Sequence, residues 1–239
     1  MVGAGPGRLI RPEDPGTPEQ EWCSYLGDRP ELDLPTGRVV VVAPHPDDET
    51  LGAGGLISTA ARRGSSVSVI SCTDGEAASS VPDLGAIRRI EMDRAMAALT
   101  GVATLDVTRL GLPDGELPDH LVPLRSALLA PIGEAALVVA PWLGDGHPDH
   151  HAVGSVCLDL CTELRRPVIQ FPVWAWHWGR PGCFGEHEVV NLPLDRRVRA
   201  RKRAALRCHA SQTDGSAAIL TPHVLEHFDR SIESFVVPR

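Results

Sequence analysis

The chain has 239 residues, 43% of them hydrophobic, which is enough to form the core of one α/β domain. Its formal net charge of -8 argues against the dense basic surface that nucleic acids and anionic membranes attract, so we expect neither as a partner. No apolar run approaches the roughly 18 residues of a membrane helix, and residues 1–12 lack the apolar stretch of a secretory signal. These features predict a cytoplasmic protein.

The spacing of apolar residues predicts alternating strands and helices. Residues 1–37 are rich in proline, glycine and charge, which predicts an irregular N-terminal lead-in before a single domain over residues 38–239. Val39 to Ala43 is an uninterrupted apolar run, typical of a strand buried on both faces of a parallel sheet. After it we expect helices over 51–63, 86–100, 121–129 and 196–209, and strands over 66–72, 105–110, 136–140 and 168–174.

This alternation predicts an α/β fold of the Rossmann-like kind, a mostly parallel, doubly wound sheet with helices on both faces. Ligands of such sheets bind beyond the carboxyl ends of the strands, and two polar clusters lie at such ends. His45-Pro46-Asp47-Asp48-Glu49 follows the first strand, and His147-Pro148-Asp149-His150 follows the strand at 136–140. One pocket can therefore gather both clusters.

The composition of the two clusters indicates a metal site. Charge next to buried strands is costly unless a cation or solvent receives it. Zinc prefers imidazole and carboxylate ligands, and a catalytic zinc site uses three protein ligands and leaves a position for water. The clusters therefore predict a bound Zn²⁺, and Fe²⁺ or another divalent ion suits the same residue types.

The same clusters resemble the signatures of the LmbE-like, or PIG-L, metal-dependent N-acetylglucosaminyl deacetylases. The resemblance covers about Val39 to Gln212, and weaker support comes from the segments Arg88-Arg89-Ile90-Glu91 and Ser211-Gln212. It implies a single LmbE-like deacetylase domain in which a metal-activated water attacks an amide.

The resemblance also implies a role for each residue of the clusters. The zinc ligands would be His45, Asp48 and His150. Asp47 would be the general base, and His147 would stabilise the oxyanion or protonate the leaving amine. The activity expected on this basis is that of a zinc-dependent hydrolase, an N-deacetylase that removes an acetyl group from an amino sugar of a small-molecule glycoside.

Four further residues are candidates for substrate contacts. Asp74 and Arg88 lie near predicted element ends, where they could bind sugar hydroxyls or form a surface salt bridge. Trp176 belongs to an aromatic segment, residues 174–178, which could stack on a sugar or aglycone or could pack in the core. His209 is a candidate for lining the pocket.

Three alternatives remain at this point. A related zinc amidase would use the same site on a different N-acyl or amide substrate. A two-metal phosphoesterase would need ligands for two ions roughly 3.5 to 4 Å apart, and the clusters supply ligands for one. A non-catalytic metal-binding module would be expected to lose Asp47, which is present. The acceptor sugar, the aglycone and the oligomeric state are left open.

Overall fold

The structure is a computed structural model that describes residues 12, 14–101, 106–214 and 218–239. Over these residues the chain forms one seven-stranded sheet in the order β3-β2-β1-β4-β5-β7-β6. The strands are β1 (Val39–Ala43), β2 (Val67–Ser71), β3 (Asp106–Arg109), β4 (Leu137–Pro141), β5 (Val168–Phe171), β6 (Glu188–Pro193) and β7 (Ile232–Val237). The first five are parallel, whereas β7 pairs antiparallel with both β5 and β6.

Helices surround the sheet in the described part of the chain. They are α1 (Glu19–Leu26), α2 (Asp48–Arg62), α3 (Leu84–Thr100), α4 (Leu121–Gly133), α5 (Pro148–Leu164), α6 (Ala175–Trp178), α7 (Arg196–Leu206), α8 (Ala210–Thr213) and α9 (Pro222–Glu226). Short 3₁₀ turns cover Glu76–Ala78 and Leu117–Asp119. No helix among the described residues combines the length and apolar character needed to cross a membrane.

The core lies in two layers, one on each face of the sheet. Successive side chains of a strand point to opposite faces, so Val39 and Val41 of β1 pack in one layer while Val40 and Val42 pack in the other. Residues of α2, α3 and α7 belong to the first layer, and residues of α4 and α5 belong to the second. The predicted doubly wound, mostly parallel fold is confirmed.

Helix α2 is fixed firmly against the sheet and its neighbours. Gly52 lies so close to β5 that an added Cβ would stand 2.1 Å from the Phe171 ring. In the middle of α2, the amides of Gly55 and Leu56 each donate to the Glu233 carboxylate at 2.7 Å. Glu233 also pairs with the buried Lys202, whose Nζ donates to a backbone carbonyl of α2. These contacts hold the helix that carries the first polar cluster at its start.

The N-terminal lead-in is more ordered than predicted, because its described part contains α1. Trp22 and Leu26 lie four residues apart on α1 and are fully buried, and Trp22 Nε1 donates to the Trp176 carbonyl at 2.7 Å. Residues 1–11 and 13, and the predicted strand start at 105, lie outside the described residues. The division at residue 37 stays a prediction.

Candidate active site

The two polar clusters meet because their strands are neighbours. β1 and β4 pair in parallel, so their carboxyl ends deliver residues 45–48 and 147–150 to the same edge of the sheet. There, ligand atoms of His45, Asp48 and His150 all lie within 4.8 Å of one another. Asp48 Oδ2 is 3.0 Å from His45 Nδ1 and 3.2 Å from His150 Nε2.

This trio fits a metal ion. Zinc bound at about 2.0–2.2 Å places two ligand atoms of a tetrahedral site about 3.4 Å apart, close to the separations seen here. His150 is completely buried, and neither of its ring nitrogens makes an aligned hydrogen bond within the described part of the chain. A buried imidazole whose nitrogens lack aligned hydrogen bonds destabilises the fold unless a ligand such as a metal ion binds to it.

Carboxylates surround the outer sides of the two histidines. His150 Nδ1 lies 2.7 Å from Asp145 Oδ2, and His45 Nε2 lies 3.0 Å from Asp149 Oδ2 and 3.1 Å from Asp114 Oδ1. Such carboxylate–histidine pairs orient ligand rings and increase their basicity. Although burial opposes it, these carboxylates and Asp48 raise the pKa of His150 to about 9 and hold that of His45 well above its usual value. The surroundings therefore favour positive charge at this position.

A second trio, formed by His45, His147 and Asp149, is equally compact. The Asp149 carboxylate already has protein partners, because it accepts the amides of Gly115 at 2.9 Å and Leu117 at 3.1 Å in addition to facing His45. These contacts indicate that Asp149 orients the His45 ring and does not itself bind an ion. The first trio therefore fits an ion better.

Asp47 lies in a strained and buried position beside this trio. Its φ of 132° is unfavourable for a side-chain-bearing residue, and its amide donates to Glu49 Oε2 at 3.1 Å. Arg88 Nη2 donates to Asp47 Oδ2 at 3.1 Å and fixes the carboxylate. Burial raises the pKa of Asp47 to about 7; Arg88 opposes that rise, and the negative charges of Asp48 and Glu49 add to it.

His147 faces the same site from the start of α5. Its ring centroid is 4.9 Å from those of both His45 and His150. Burial, reinforced by the charge of His150 and His45, lowers the pKa of His147 to about 4. Its Nδ1 accepts the Asp149 amide at 3.2 Å, so the proton of the neutral ring is on Nε2. The ring can therefore act as a neutral hydrogen-bond donor.

A cavity of about 250 Å³ opens onto these residues. It lies at the carboxyl edge of the sheet, where ligands of doubly wound folds bind. The described residues that line it are His45, Asp47, Asp48, Leu51, Ala77, Ala78, Arg88, Asp114, Gly115, His147, Val173, Trp174, Ile219 and Leu220.

Of the four candidate substrate contacts, Arg88 lines the cavity and the other three lie elsewhere. Asp74 accepts a hydrogen bond from Arg89 at 2.9 Å. Trp176 is buried in the core, and His209 is fully buried with Nε2 3.2 Å from the Thr50 hydroxyl. Burial lowers the pKa of His209 to about 3. Contact between these three side chains and a substrate stays a prediction.

The sequence assigned no role to Asp114 and Asp145, and for Trp174 it offered only the stacking or core role of the whole aromatic segment 174–178. Asp114 lies in a Pro-Asp-Gly turn after β3, and Asp145 lies two residues before His147, so the available signal was their position beyond strand ends. Trp174 lines the cavity, whereas Trp176 two residues later points into the core. The short helix α6 determines which of these two indoles faces the cavity, and its four residues are too few to show a helical pattern in the sequence.

The fold and the site are typical of hydrolases of α/β fold that bind a divalent metal through histidine and aspartate at the carboxyl edge of a parallel sheet. The particular family follows from comparison, since the family model described as PIG-L, GlcNAc-PI de-N-acetylase, matches residues 40–161. The chain belongs to the PIG-L family, and the predicted resemblance is confirmed.

Relatives within this family are named as sugar deacetylases. A 1D-myo-inositol 2-acetamido-2-deoxy-alpha-D-glucopyranoside deacetylase of Tsukamurella paurometabola is 28% identical in an alignment of 247 positions that covers 74% of this chain and 83% of the relative. A probable N-acetyl-alpha-D-glucosaminyl L-malate deacetylase 2 of Bacillus subtilis is 30% identical, covering 74% of this chain and 84% of the relative.

A solved structure shares the fold. The zinc-inhibited form of the teicoplanin deacetylase Orf2 superimposes with a TM-score of 0.65 at 19% identity, covering 84% of this chain and 98% of the other.

Proposed function

We propose that this protein is a zinc-dependent N-deacetylase that removes the acetyl group from a GlcNAc-type amino sugar of a small-molecule glycoside. The observation that carries the proposal is that three metal-type donors lie together, and that two of them, His45 and Asp48, line one cavity with Asp47 and His147. The names of the relatives, whose substrates are acetylated glucosamine derivatives, support the sugar. His45, Asp48 and His150 would hold the ion.

The protein residues perform the proton transfers of the reaction. A zinc ion bound by the three ligands would polarise the amide carbonyl and lower the pKa of water towards about 7. Asp47 accepts a proton from the water molecule that adds to the carbonyl carbon, and Arg88 keeps its carboxylate aimed at the cavity. The C–N bond then breaks, the amine takes up the proton, and acetate and a free amino sugar are released.

His147 complements Asp47 on the oxygen side of the amide. As a neutral ring with its proton on Nε2, it can donate a hydrogen bond to the oxygen on which negative charge develops. Loss of one donor of this kind typically lowers turnover by about 10²–10³. The strained backbone of Asp47 and the capping bond of His147 indicate that both groups are positioned before substrate binds.

The test is release of acetate and free amine by the zinc-loaded protein across a panel of N-acetylglucosaminyl compounds. We expect equal amounts of the two products from wild type and a large loss in Asp47→Asn. A matched control is Asp159→Asn, because Asp159 is an exposed aspartate on α5, outside the cavity. Release of acetate from non-sugar amides alone would favour the related amidase and overturn the sugar assignment.

A further inference from the structure

The cavity is too small to enclose a whole glycoside. Its volume of about 250 Å³ is below the roughly 300–1,000 Å³ of pockets that bury drug-sized ligands. If the acetylated amino group reaches the metal trio, the sugar fills most of this space and the aglycone extends past the rim. The residues along the rim therefore decide which aglycones bind well.

One wall of the cavity is apolar. It consists of Leu51, Val173, Trp174, Ile219 and Leu220 among the described lining residues. Trp174 is only partly buried, unlike Val173 beside it, so part of its indole is accessible to a bound molecule. An aromatic surface of this size favours contact with apolar or aromatic groups over charged ones.

The partly buried indole of Trp174 is held in place by its neighbours. The Trp174 ring stacks on that of Trp178 with centroids 5.2 Å apart and planes inclined by 20°. Trp178 Nε1 donates to the Asp145 carbonyl at 2.9 Å, and the Trp174 amide donates to the Asp145 carboxylate at 3.0 Å. Trp178 also packs on Gly146, where an added Cβ would stand 3.0 Å from its Nε1. A rigid surface costs less conformational entropy when a ligand binds.

The charges around the cavity do not suit an anionic aglycone. Arg88 is the one lysine or arginine among the described lining residues, and it is 2% exposed. Its Nη1 and Nη2 donate to the carbonyls of Gly75 and Pro46, and Nη2 also donates to Asp47. Asp114 adds a carboxylate to the same cavity outside the metal trio, so the described lining offers an anionic aglycone no free cationic side chain.

We infer that the preferred substrate is a neutral glycoside whose apolar or aromatic aglycone stacks on Trp174, which makes Trp174 a specificity-determining residue. The inference rests on the proposed deacetylation for the placement of the sugar. It concerns the aglycone, which the metal trio does not contact.

The test is calorimetric binding of three N-acetylglucosaminides, the methyl, phenyl and carboxymethyl glycosides, to the zinc-loaded Asp47→Asn protein. We expect the phenyl glycoside to bind about 10-fold more tightly than the methyl glycoside, and the carboxymethyl glycoside no more tightly than the methyl one. Added Trp174→Ala should abolish the phenyl-over-methyl ratio, and Trp174→Phe should keep most of it. Val122→Ala, which changes a 77% exposed side chain on α4, is the control and should keep the full ratio.

Acetate release by the wild-type protein is measured on the same compounds. Equal affinity for the phenyl and methyl glycosides, or tighter binding of the carboxymethyl glycoside, would overturn the inference while acetate release leaves the proposed function standing. A phenyl preference that depends on Trp174 supports the aglycone site even without acetate release, in which case only the deacetylation fails. Absence of both binding and release would overturn both.

Discussion

Replacing Asp145 with asparagine breaks the link between the metal trio and the loop after β5. Asp145 Oδ1 accepts the amides of Val173 at 2.9 Å and Ala175 at 2.8 Å, while Oδ2 accepts the amide of Trp174 at 3.0 Å and lies 2.7 Å from His150 Nδ1. Asparagine keeps one oxygen and places its NH₂ group against the two groups that face the other oxygen in the wild type. At least one charge-assisted bond, worth about 1.5–3 kcal/mol, is lost and the others weaken, so we expect a destabilisation of about 3 kcal/mol.

Two measurements check this expectation. Urea unfolding of the metal-free protein, followed by tryptophan fluorescence, gives the change in free energy of unfolding. Competition with a chromophoric chelator gives the zinc affinity, which should fall about 10–100-fold because the orientation of His150 is lost.

Asp195→Asn is the matched control for Asp145→Asn. Asp195 is exposed and accepts the Val198 amide as the N-cap of α7, a position where asparagine serves equally well. The control should therefore leave both the unfolding free energy and the zinc affinity close to wild type. Wild-type stability and zinc affinity in Asp145→Asn would refute the role given to its carboxylate.

Three further changes have defined outcomes. Asp47→Asn should retain zinc but lower turnover by about 10²–10⁴, and wild-type turnover would remove Asp47 from the mechanism. His150→Ala should weaken zinc binding more than Asp145→Asn does, and an unchanged metal titration would contradict its role as a ligand. Burial raises the pKa of Glu19, but hydrogen bonds from Arg230 and His227 outweigh it and lower that pKa to about 2. Because the folded state favours the ionised form, this stabilisation is present above about pH 4.5 and is lost as the pH falls towards 2. Glu19→Gln should therefore be less stable than wild type at pH 7 by about 3 kcal/mol in urea unfolding, and the free energies of unfolding of the two proteins should converge near pH 2. A difference in stability that does not change with pH would contradict the lowered pKa of Glu19.

The parallel half of the sheet could be predicted because each of its central strands has a simple signature. β1 and β4 are buried on both faces, so their sequences are continuous apolar runs with no competing interpretation. The polar clusters follow directly at strand ends, and neighbouring parallel strands bring such ends together. The meeting of His45 with His150 therefore follows from local sequence and a general property of the fold.

The antiparallel edge and the outer parts of the site could not be predicted in the same way. β6 and β7 carry polar residues within buried strands, such as Asn191 and Glu233, whose partners are distant in sequence. The orientation of residues 174–178 depends on α6, and Trp176 is buried because Trp22 of α1 packs against it at 4.9 Å between ring centroids. Contacts between segments so far apart along the chain leave no local pattern.

The most direct test of the metal-dependent mechanism is deacetylase activity measured while zinc is added to the metal-free protein. We expect no acetate release without metal, a rise that saturates at one equivalent of zinc, and no rise in His150→Ala at the same zinc concentration. Full activity in the metal-free protein, or saturation only at two equivalents, would contradict a single catalytic ion held by His45, Asp48 and His150.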